Sequence, residues 1–299
     1  MPPNSRPRRR SCLVVPGSSP GKLAKGATLA VDEIVIDLED AVLPAAKAAA
    51  RAATVAALGE SDWRAGAVAV RVNAARTPWC HLDLAALAAC GERPLSIVLP
   101  KVEGAADLAF LERLLDGLEA AAGRRRPLRV QALIETAAGL ANVAEIARAS
   151  DRLDALILGY ADLGASLGRA GSPAAGLDLW LPAQQALLVA ARAAGLQAID
   201  GPHLELDAGE RFAAAGERAR DLGFDGKWAI HPSQVGPLED LFTPGEAEVE
   251  RARAVIAALA EAGEGSGAGA VALDGEMVDE AVRLAAERVL VRAGTGPAG

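Results

Sequence analysis

Charged and polar side chains follow the buried apolar runs of this chain, at the point where each run ends. Such groups beside a hydrophobic core are costly unless they are paired or bind a metal ion. One or two could be structural ion pairs, but seven such ends favour a functional site. The groups are Asp37, Glu39 and Asp40 after the second run, Arg71 and Asn73 at the third, Lys101 and Glu103 at the fourth, Glu135 at the fifth, Asp162 at the sixth, Asp200 and His203 at the seventh, and His231 at the eighth.

Glu135 and Asp162 are the metal-ligand candidates. Their separation is about one strand–helix unit, so they can lie on neighbouring strand ends. Two carboxylates that leave positions for water and substrate suit Mg²⁺, for which Mn²⁺ could substitute, whereas zinc would need His or Cys ligands. None of the three histidines has metal-ligand spacing, and His231 before Pro232 is interpreted as a structural hydrogen-bonding residue.

The acids that follow the second run are expected to support this metal site. In that interpretation Asp37, Glu39 and Asp40 hold metal-bound water molecules from behind the ligands, with Lys101 beside them. The alternative is that the acids form ion pairs with a nearby cation: Lys47, Arg71 or Lys101.

The apolar runs read as buried parallel strands, because they are rich in β-branched residues and lack strict alternation. Ala-rich stretches with helical periodicity separate them, and eight strand–helix units favour a (β/α)8 barrel. A doubly wound open sheet is the alternative, but residues 16–21 do not form its phosphate-binding glycine pattern. The predicted strands are Ser11–Val15, Glu33–Leu38, Val68–Asn73, Ser96–Lys101, Arg129–Glu135, Leu153–Gly159, Leu196–Asp200 and Lys227–His231.

The composition excludes several classes of protein. Of the 299 residues, 51% are hydrophobic and 23% are charged, as in soluble globular proteins. No apolar run is long enough to cross a membrane, and three cysteines without a CxxC pair predict neither disulfides nor a zinc site. A net charge of −8 disfavours nucleic-acid binding. We expect a cytoplasmic protein.

The two ends of the chain differ from the barrel. Residues 1–10 form a basic tail, in which Arg6, Arg8 and Arg9 are expected to be solvated. The barrel is expected over residues 11–240. Residues 241–299 are predicted to be a helical lid with a flexible linker at 262–270, because glycines there interrupt two helical patterns.

The ordered strand-end motifs resemble the citrate lyase beta-subunit-like branch of the HpcH/HpaI aldolase superfamily. This branch includes malyl-CoA and citramalyl-CoA lyases, and the match covers most of the chain. The motifs are Leu13-Val14-Val15-Pro16-Gly17, Ile36-Asp37-Leu38-Glu39-Asp40-Ala41-Val42, Lys47 with Ala50-Arg51, Val70-Arg71-Val72-Asn73, Leu99-Pro100-Lys101-Val102-Glu103, Ile134-Glu135-Thr136-Ala137 and Gly223-Phe224-Asp225-Gly226-Lys227 leading into His231-Pro232.

The resemblance implies roles for particular residues. Glu135 and Asp162 would hold Mg²⁺, and Arg71 would bind the substrate carboxylate, with Glu135 also at the substrate. Asp279, in Met277-Val278-Asp279, would be the catalytic acid or base, carried by the lid to a neighbouring subunit of a homotrimer or hexamer. The phosphates of coenzyme A would meet a group of cations: Lys22, Lys25 and Arg10.

The implied reaction is a Mg²⁺-dependent cleavage of a 3-hydroxyacyl-CoA through an enolate, giving acetyl-CoA or a homologue and a 2-oxo acid. Three alternatives use the same residues. They are a malyl-CoA-type thioesterase, a CoA-independent class II aldolase acting on 2-oxo acids, and a citrate lyase beta-type subunit that works with an acyl carrier protein.

Overall fold

A computed structural model describes residues 7–170, 177–265 and 269–294. The chain divides into two compact units, a barrel unit over Ser5–Glu239 and a C-terminal unit that begins at Asp240. No helix of the described part is both long and apolar enough to span a bilayer.

Eight parallel strands close into a barrel in which each strand pairs with its sequence neighbours and β1 pairs with β8. This confirms the predicted (β/α)8 fold and excludes the open sheet. All eight predicted strands are present, within two residues at each end. The strands are β1 Ser11–Pro16, β2 Glu33–Asp37, β3 Ala67–Arg71, β4 Ser96–Leu99, β5 Arg129–Ile134, β6 Leu153–Leu158, β7 Gln197–Asp200 and β8 Gly226–Ala229.

Helices connect the strands, and three of the helices follow short 3₁₀ turns at Pro44–Ala46, Leu177–Trp180 and Pro232–Gln234. The helices of the barrel unit are α1 Pro20–Ala27, α2 Lys47–Glu60, α3 Cys80–Ala88, α4 Ala105–Ala122, α5 Ala137–Ala141, α6 Val143–Ile146, α7 Tyr160–Ser166, α8 Leu181–Ala193, α9 Glu210–Leu222 and α10 Val235–Phe242, within which the unit boundary falls.

Every strand contributes to a closely packed cluster of buried residues. Because each strand is buried on both faces, its sequence is a continuous apolar run rather than an alternating one. The cluster fixes the strands around one axis, so their carboxyl ends open at the same end of the barrel. Its members are Cys12, Val35, Ala69, Val98, Leu133, Ala155, Ile157, Ile199 and Trp228.

Arg9 closes the opposite, amino-terminal end of the barrel. Its side chain is fully buried, and Nε donates to Glu33 Oε1 at 2.8 Å. Further partners come from three other strands: Ser96 on β4, Asp154 on β6 and Gln197 on β7. The expectation of a solvated tail is therefore wrong for Arg9, because a ring of inward polar groups at the strand starts needs a cation. Arg8 is exposed as expected, and Arg6 lies outside the described residues.

The C-terminal unit is two helices with a β-hairpin between them. Helix α11 spans Glu246–Gly265, strands β9 Ala270–Leu273 and β10 Glu276–Asp279 pair antiparallel, and α12 spans Glu280–Arg292. Apolar faces of all four elements form one core, which includes Val255, Val278 and Leu290.

This arrangement corrects the predicted linker. Helix α11 continues through Gly265, β9 begins at Ala270, and the part of the prediction at 266–268 lies outside the described residues. The unit is also not purely helical. The cause is local: Asp274 and Gly275 both have positive φ, 50° and 83°, which produces the tight turn of a two-residue hairpin.

Candidate active site

Residues from five consecutive βα connections meet at the carboxyl end of the barrel. The strands β2 to β6 deliver them, because parallel neighbouring strands end at the same edge. The group comprises the predicted residues Asp37, Glu39, Asp40, Arg71, Lys101, Glu135 and Asp162.

Arg71 is fixed by Asp37. Its Nε and Nη2 donate to the two carboxylate oxygens at 2.8 and 2.7 Å, a bidentate pair with both residues buried. Asp37 also accepts the backbone N–H groups of Glu39 and Ala41. Burial alone would raise the pKa of Asp37, but these bonds, those of Arg71 first, lower it below its usual value. The planar guanidinium is therefore held in one orientation with a permanent charge.

Lys101 lies close to acids from three different βα connections. Its Nζ lies 2.6 Å from Glu39 Oε1, 3.0 Å from Asp162 Oδ2 and 4.0 Å from Glu135 Oε1. Burial alone would lower the pKa of this ammonium, but the hydrogen bond and charge of Glu39 raise it above its usual value. Lys101 therefore stays protonated at neutral pH.

Glu135 is buried at the centre of the site, with 3% of its surface exposed. Its Oε1 accepts the backbone N–H of Lys101 at 3.0 Å. Burial, and then the nearby charge of Glu39, raise the pKa of the Glu135 carboxyl to about 8. A proton therefore occupies this carboxyl at neutral pH in the absence of another cation.

The charges of the site leave room for a divalent cation. When Glu135 is ionised, as metal binding would require, five carboxylates (Asp37, Glu39, Asp40, Glu135 and Asp162) face three cations (Lys47, Arg71 and Lys101), so two negative charges are uncompensated. Glu39 Oε2 is buried and accepts no hydrogen bond from the described residues, and its near partner there is the charge of Arg71 Nη1 at 3.2 Å. Among those residues no three His, Cys, Asp or Glu side chains form a ready metal cluster. The oxygen-only donor set and the charge deficit nevertheless fit Mg²⁺.

Glu39 and Asp40 are ion-paired, as predicted by the alternative interpretation in which the acids after the second strand pair with nearby cations. Arg71 Nη1 lies 3.2 Å from Glu39 Oε2 and 3.6 Å from Asp40 Oδ2. Lys47 instead donates to the backbone carbonyls of Leu38 and Glu39, at 2.8 and 2.7 Å, and so orders the turn that carries the acids.

The three cations predicted for coenzyme A lie at different ends of the barrel. Lys22 and Lys25 are exposed on α1, which follows the carboxyl end of β1. Arg10 precedes β1 and donates to both oxygens of Asp32, at 2.8 and 2.7 Å. Because this pair lies at the amino-terminal end, we exclude Arg10 from the candidate site.

Asp279 is the last residue of β10 and the N-cap of α12. Its Oδ1 accepts the backbone N–H groups of Ala281 and Val282 at 3.0 and 3.2 Å. Val278 and Asp279 both belong to the hairpin, and the helix begins only at Glu280. The carboxylate therefore caps a helix in this structure, and its predicted acid–base role is untested.

Sequence reasoning missed Gly159. A Cβ at this position would lie 2.6 Å from Glu135 Cβ and 2.7 Å from Glu135 Oε2. The glycine therefore provides the space for the carboxylate, and its position directly after a buried strand was the available signal. His231, by contrast, accepts from the N–H of Ser233 and caps a 3₁₀ turn, in agreement with its structural interpretation.

Known proteins are similar to this chain over nearly its whole length. Residues 10–232 match the family model for HpcH/HpaI aldolase/citrate lyase. An L-malyl-CoA/beta-methylmalyl-CoA lyase of Cereibacter sphaeroides is 40% identical, covering 97% of this chain and 95% of its own. A (3S)-malyl-CoA thioesterase of the same species is 39% identical, covering 95% and 94%.

A similar fold has been solved with ligands. The crystal structure of protein CitE from Mycobacterium tuberculosis, in complex with magnesium, acetoacetate and coenzyme A, has a TM-score of 0.76 and 33% identity. The similarity covers 97% of this chain and 99% of that one.

Proposed function

Because the chain belongs to the HpcH/HpaI aldolase/citrate lyase family, we propose that it is a Mg²⁺-dependent carbon–carbon lyase of 3-hydroxyacyl-CoA substrates. The proposed substrates are malyl-CoA and citramalyl-CoA. The products are acetyl-CoA or a homologue and a 2-oxo acid. The observation that carries the proposal is the convergence of Glu135, Asp162 and Arg71 on a site that has two uncompensated negative charges once Glu135 is ionised.

Glu135 and Asp162 would hold the metal ion. Bound there, Mg²⁺ would act as a Lewis acid at the substrate oxygen that turns from hydroxyl to carbonyl. Glu135 must lose its proton to become a ligand, so metal binding and ionisation of this carboxyl are coupled.

Arg71 would bind the carboxylate of the 2-oxo acid fragment. Two of its nitrogens are already held by Asp37, so the group that faces the substrate is pre-oriented and little ordering is needed on binding. Arg71 stays protonated at this contact. Burial alone would lower the pKa of its guanidinium, but the hydrogen bonds and the charge of Asp37 raise it above its usual value.

As the carbon–carbon bond breaks, its electron pair moves to the acyl-CoA fragment as an enolate, and the hydroxyl proton passes to water as the carbonyl forms. The enolate carbon then takes up a proton, for which we propose Asp279 as the donor. We further propose a homotrimer or hexamer in which the C-terminal unit supplies Asp279 to a neighbouring subunit. Lys22 and Lys25 would bind the phosphates of coenzyme A.

A thioesterase is the second candidate, since one relative is a (3S)-malyl-CoA thioesterase at nearly the same identity as the lyase. The same metal site would then serve attack by water on the thioester carbonyl, and the carbon–carbon bond would remain intact.

One assay separates the two candidates. Malyl-CoA is incubated with the protein and Mg²⁺, while glyoxylate is detected as its phenylhydrazone and free thiol with a disulfide reagent. The lyase predicts glyoxylate without free thiol, and the thioesterase predicts the reverse. Glu135→Gln should abolish turnover, whereas the matched control Glu145→Gln, on an exposed face of α6, should not. Release of free CoA without glyoxylate would overturn the lyase.

A further inference from the structure

The ammonium of Lys101 lies among the acids to which the proposed function assigns a metal ion. It is within 4.0 Å of oxygens from both proposed ligands, Glu135 and Asp162, and also binds Glu39. The single positive charge of Lys101 therefore lies between the carboxylates of Glu39 and Asp162, which would otherwise repel each other.

The backbone of Lys101 is in an uncommon conformation. Its φ is 53°, in the left-handed region that side chains other than Gly and Asn rarely adopt. This conformation accompanies the bond from its N–H to Glu135 at 3.0 Å. The strained main chain is thus tied to one proposed ligand while the side chain reaches two other acids.

The two cations of the site differ in freedom. Arg71 is nine-tenths buried and held by two bonds to Asp37. The Lys101 side chain keeps 35% of its surface exposed on a flexible four-carbon stem. Lys101 can therefore leave toward solvent without repacking of the barrel, and Arg71 cannot.

We propose that Lys101 is a resident counter-ion that exchanges with the divalent metal. In the metal-free protein its ammonium keeps Glu39, Glu135 and Asp162 together, and it turns toward solvent when Mg²⁺ takes its place. The inference rests on the proposed function only in assuming that Mg²⁺ binds to Glu135 and Asp162. Two positive charges neutralise the excess that one ammonium leaves, which drives the exchange.

Competitive acetylation tests the exchange directly. The chain has five lysines, so mass spectrometry can follow each one during reaction with acetic anhydride. Mg²⁺ should raise the labelling of Lys101 severalfold, because its ion pairs are lost, while Lys25 on α1 serves as the exposed internal reference. Unchanged or slower labelling of Lys101, with Mg²⁺ shown to be bound by calorimetry, would overturn the exchange and leave the proposed function standing.

Calorimetry on Lys101→Met supplies the second readout. Removal of the competing ammonium should tighten Mg²⁺ binding about tenfold and lower the melting temperature of the metal-free protein. Lys101→Gly also removes the ammonium and relieves the positive φ, so it serves if the Met variant does not fold. Arg125→Met removes an exposed charge from the loop before β5 as the control. Weaker or equal Mg²⁺ binding by both Lys101 variants would refute the exchange, and no Mg²⁺ binding by the wild type would refute the proposed function as well.

Discussion

The carboxylate of Glu135 occupies the space that a side chain at Gly159 would fill. The contact joins the ends of β5 and β6, and a Cβ at residue 159 would approach Glu135 Oε2 to 2.7 Å. Two neighbouring strands therefore determine together where this proposed metal ligand points.

Gly159→Ala should displace the Glu135 carboxylate and weaken Mg²⁺ binding by about tenfold or more. Calorimetric titration of the metal-free protein measures the effect. Gly117→Ala is the matched control, because a Cβ at this position of α4 meets no atom within 4 Å. Equal Mg²⁺ affinity in both variants would mean that Glu135 does not need this space.

Mg²⁺ affinity should depend on pH through Glu135. The metal binds the ionised carboxylate, whose pKa is about 8, so below pH 8 affinity should rise by up to about tenfold per pH unit and then level off. Calorimetry in buffers of different ionisation enthalpy should show release of about one proton at pH 7. A flat profile between pH 6 and 8 would argue against Glu135 as a ligand.

Glu135→Gln should stabilise the metal-free protein. A folded pKa of about 8, above the usual value of 4.5, means that the Glu135 contribution to stability is fully present below pH 4.5 and is lost as pH rises through 8. Gln lacks this titration, so the melting temperature of the variant should exceed that of the wild type by a margin that grows across this range. A constant margin would contradict the raised pKa.

Asp37→Asn should lower kcat/KM by about 100-fold, because the Asn amide cannot accept two bonds from Arg71 and the guanidinium loses its orientation. Asp40→Asn, which removes an exposed acid 3.6 Å from the same guanidinium, is the control and should have a much smaller effect. Steady-state kinetics with malyl-CoA measures both. If the two variants behave alike, the bidentate pair is not what positions Arg71.

Arg9→Met should cost about 3–5 kcal/mol of stability, because Glu33 would be left buried without its cation. Denaturant unfolding measures the loss, with Arg8→Met as the exposed control. Turnover per folded molecule should stay unchanged, since Arg9 lies at the end of the barrel opposite the candidate site. A loss of turnover without a loss of stability would contradict the assignment.

The sequence predicts the barrel well because buried parallel strands leave a strong signal. Most of the predicted runs are rich in Val, Ile or Leu, and each one became a strand. The β9–β10 hairpin was missed although Asp274-Gly275 is a typical two-residue hairpin turn. Its short flanking strands are only partly buried, so the glycine-rich composition around them was more conspicuous than their pattern.

The candidate site could be predicted as a set of residues but not as a set of contacts. Strand ends identify Glu135, Asp162 and Lys101, because polar groups after apolar runs are conspicuous. The contacts of Lys101 with Glu135 and Asp162 depend on its positive φ and on its rotamer. The spacing of residues in the sequence specifies neither. Likewise, four arginines near the start of the chain gave no sign that one of them would be buried.

The buried contacts of Arg9 at the amino-terminal end of the barrel set an order of events during translation. The partner residue Gln197 is made 188 residues after Arg9. β1 meets β8 only after Ala229 has emerged. A nascent chain therefore carries an unsatisfied arginine and an open sheet edge until the last strand of the barrel has been made, and ring closure is a late step in barrel formation.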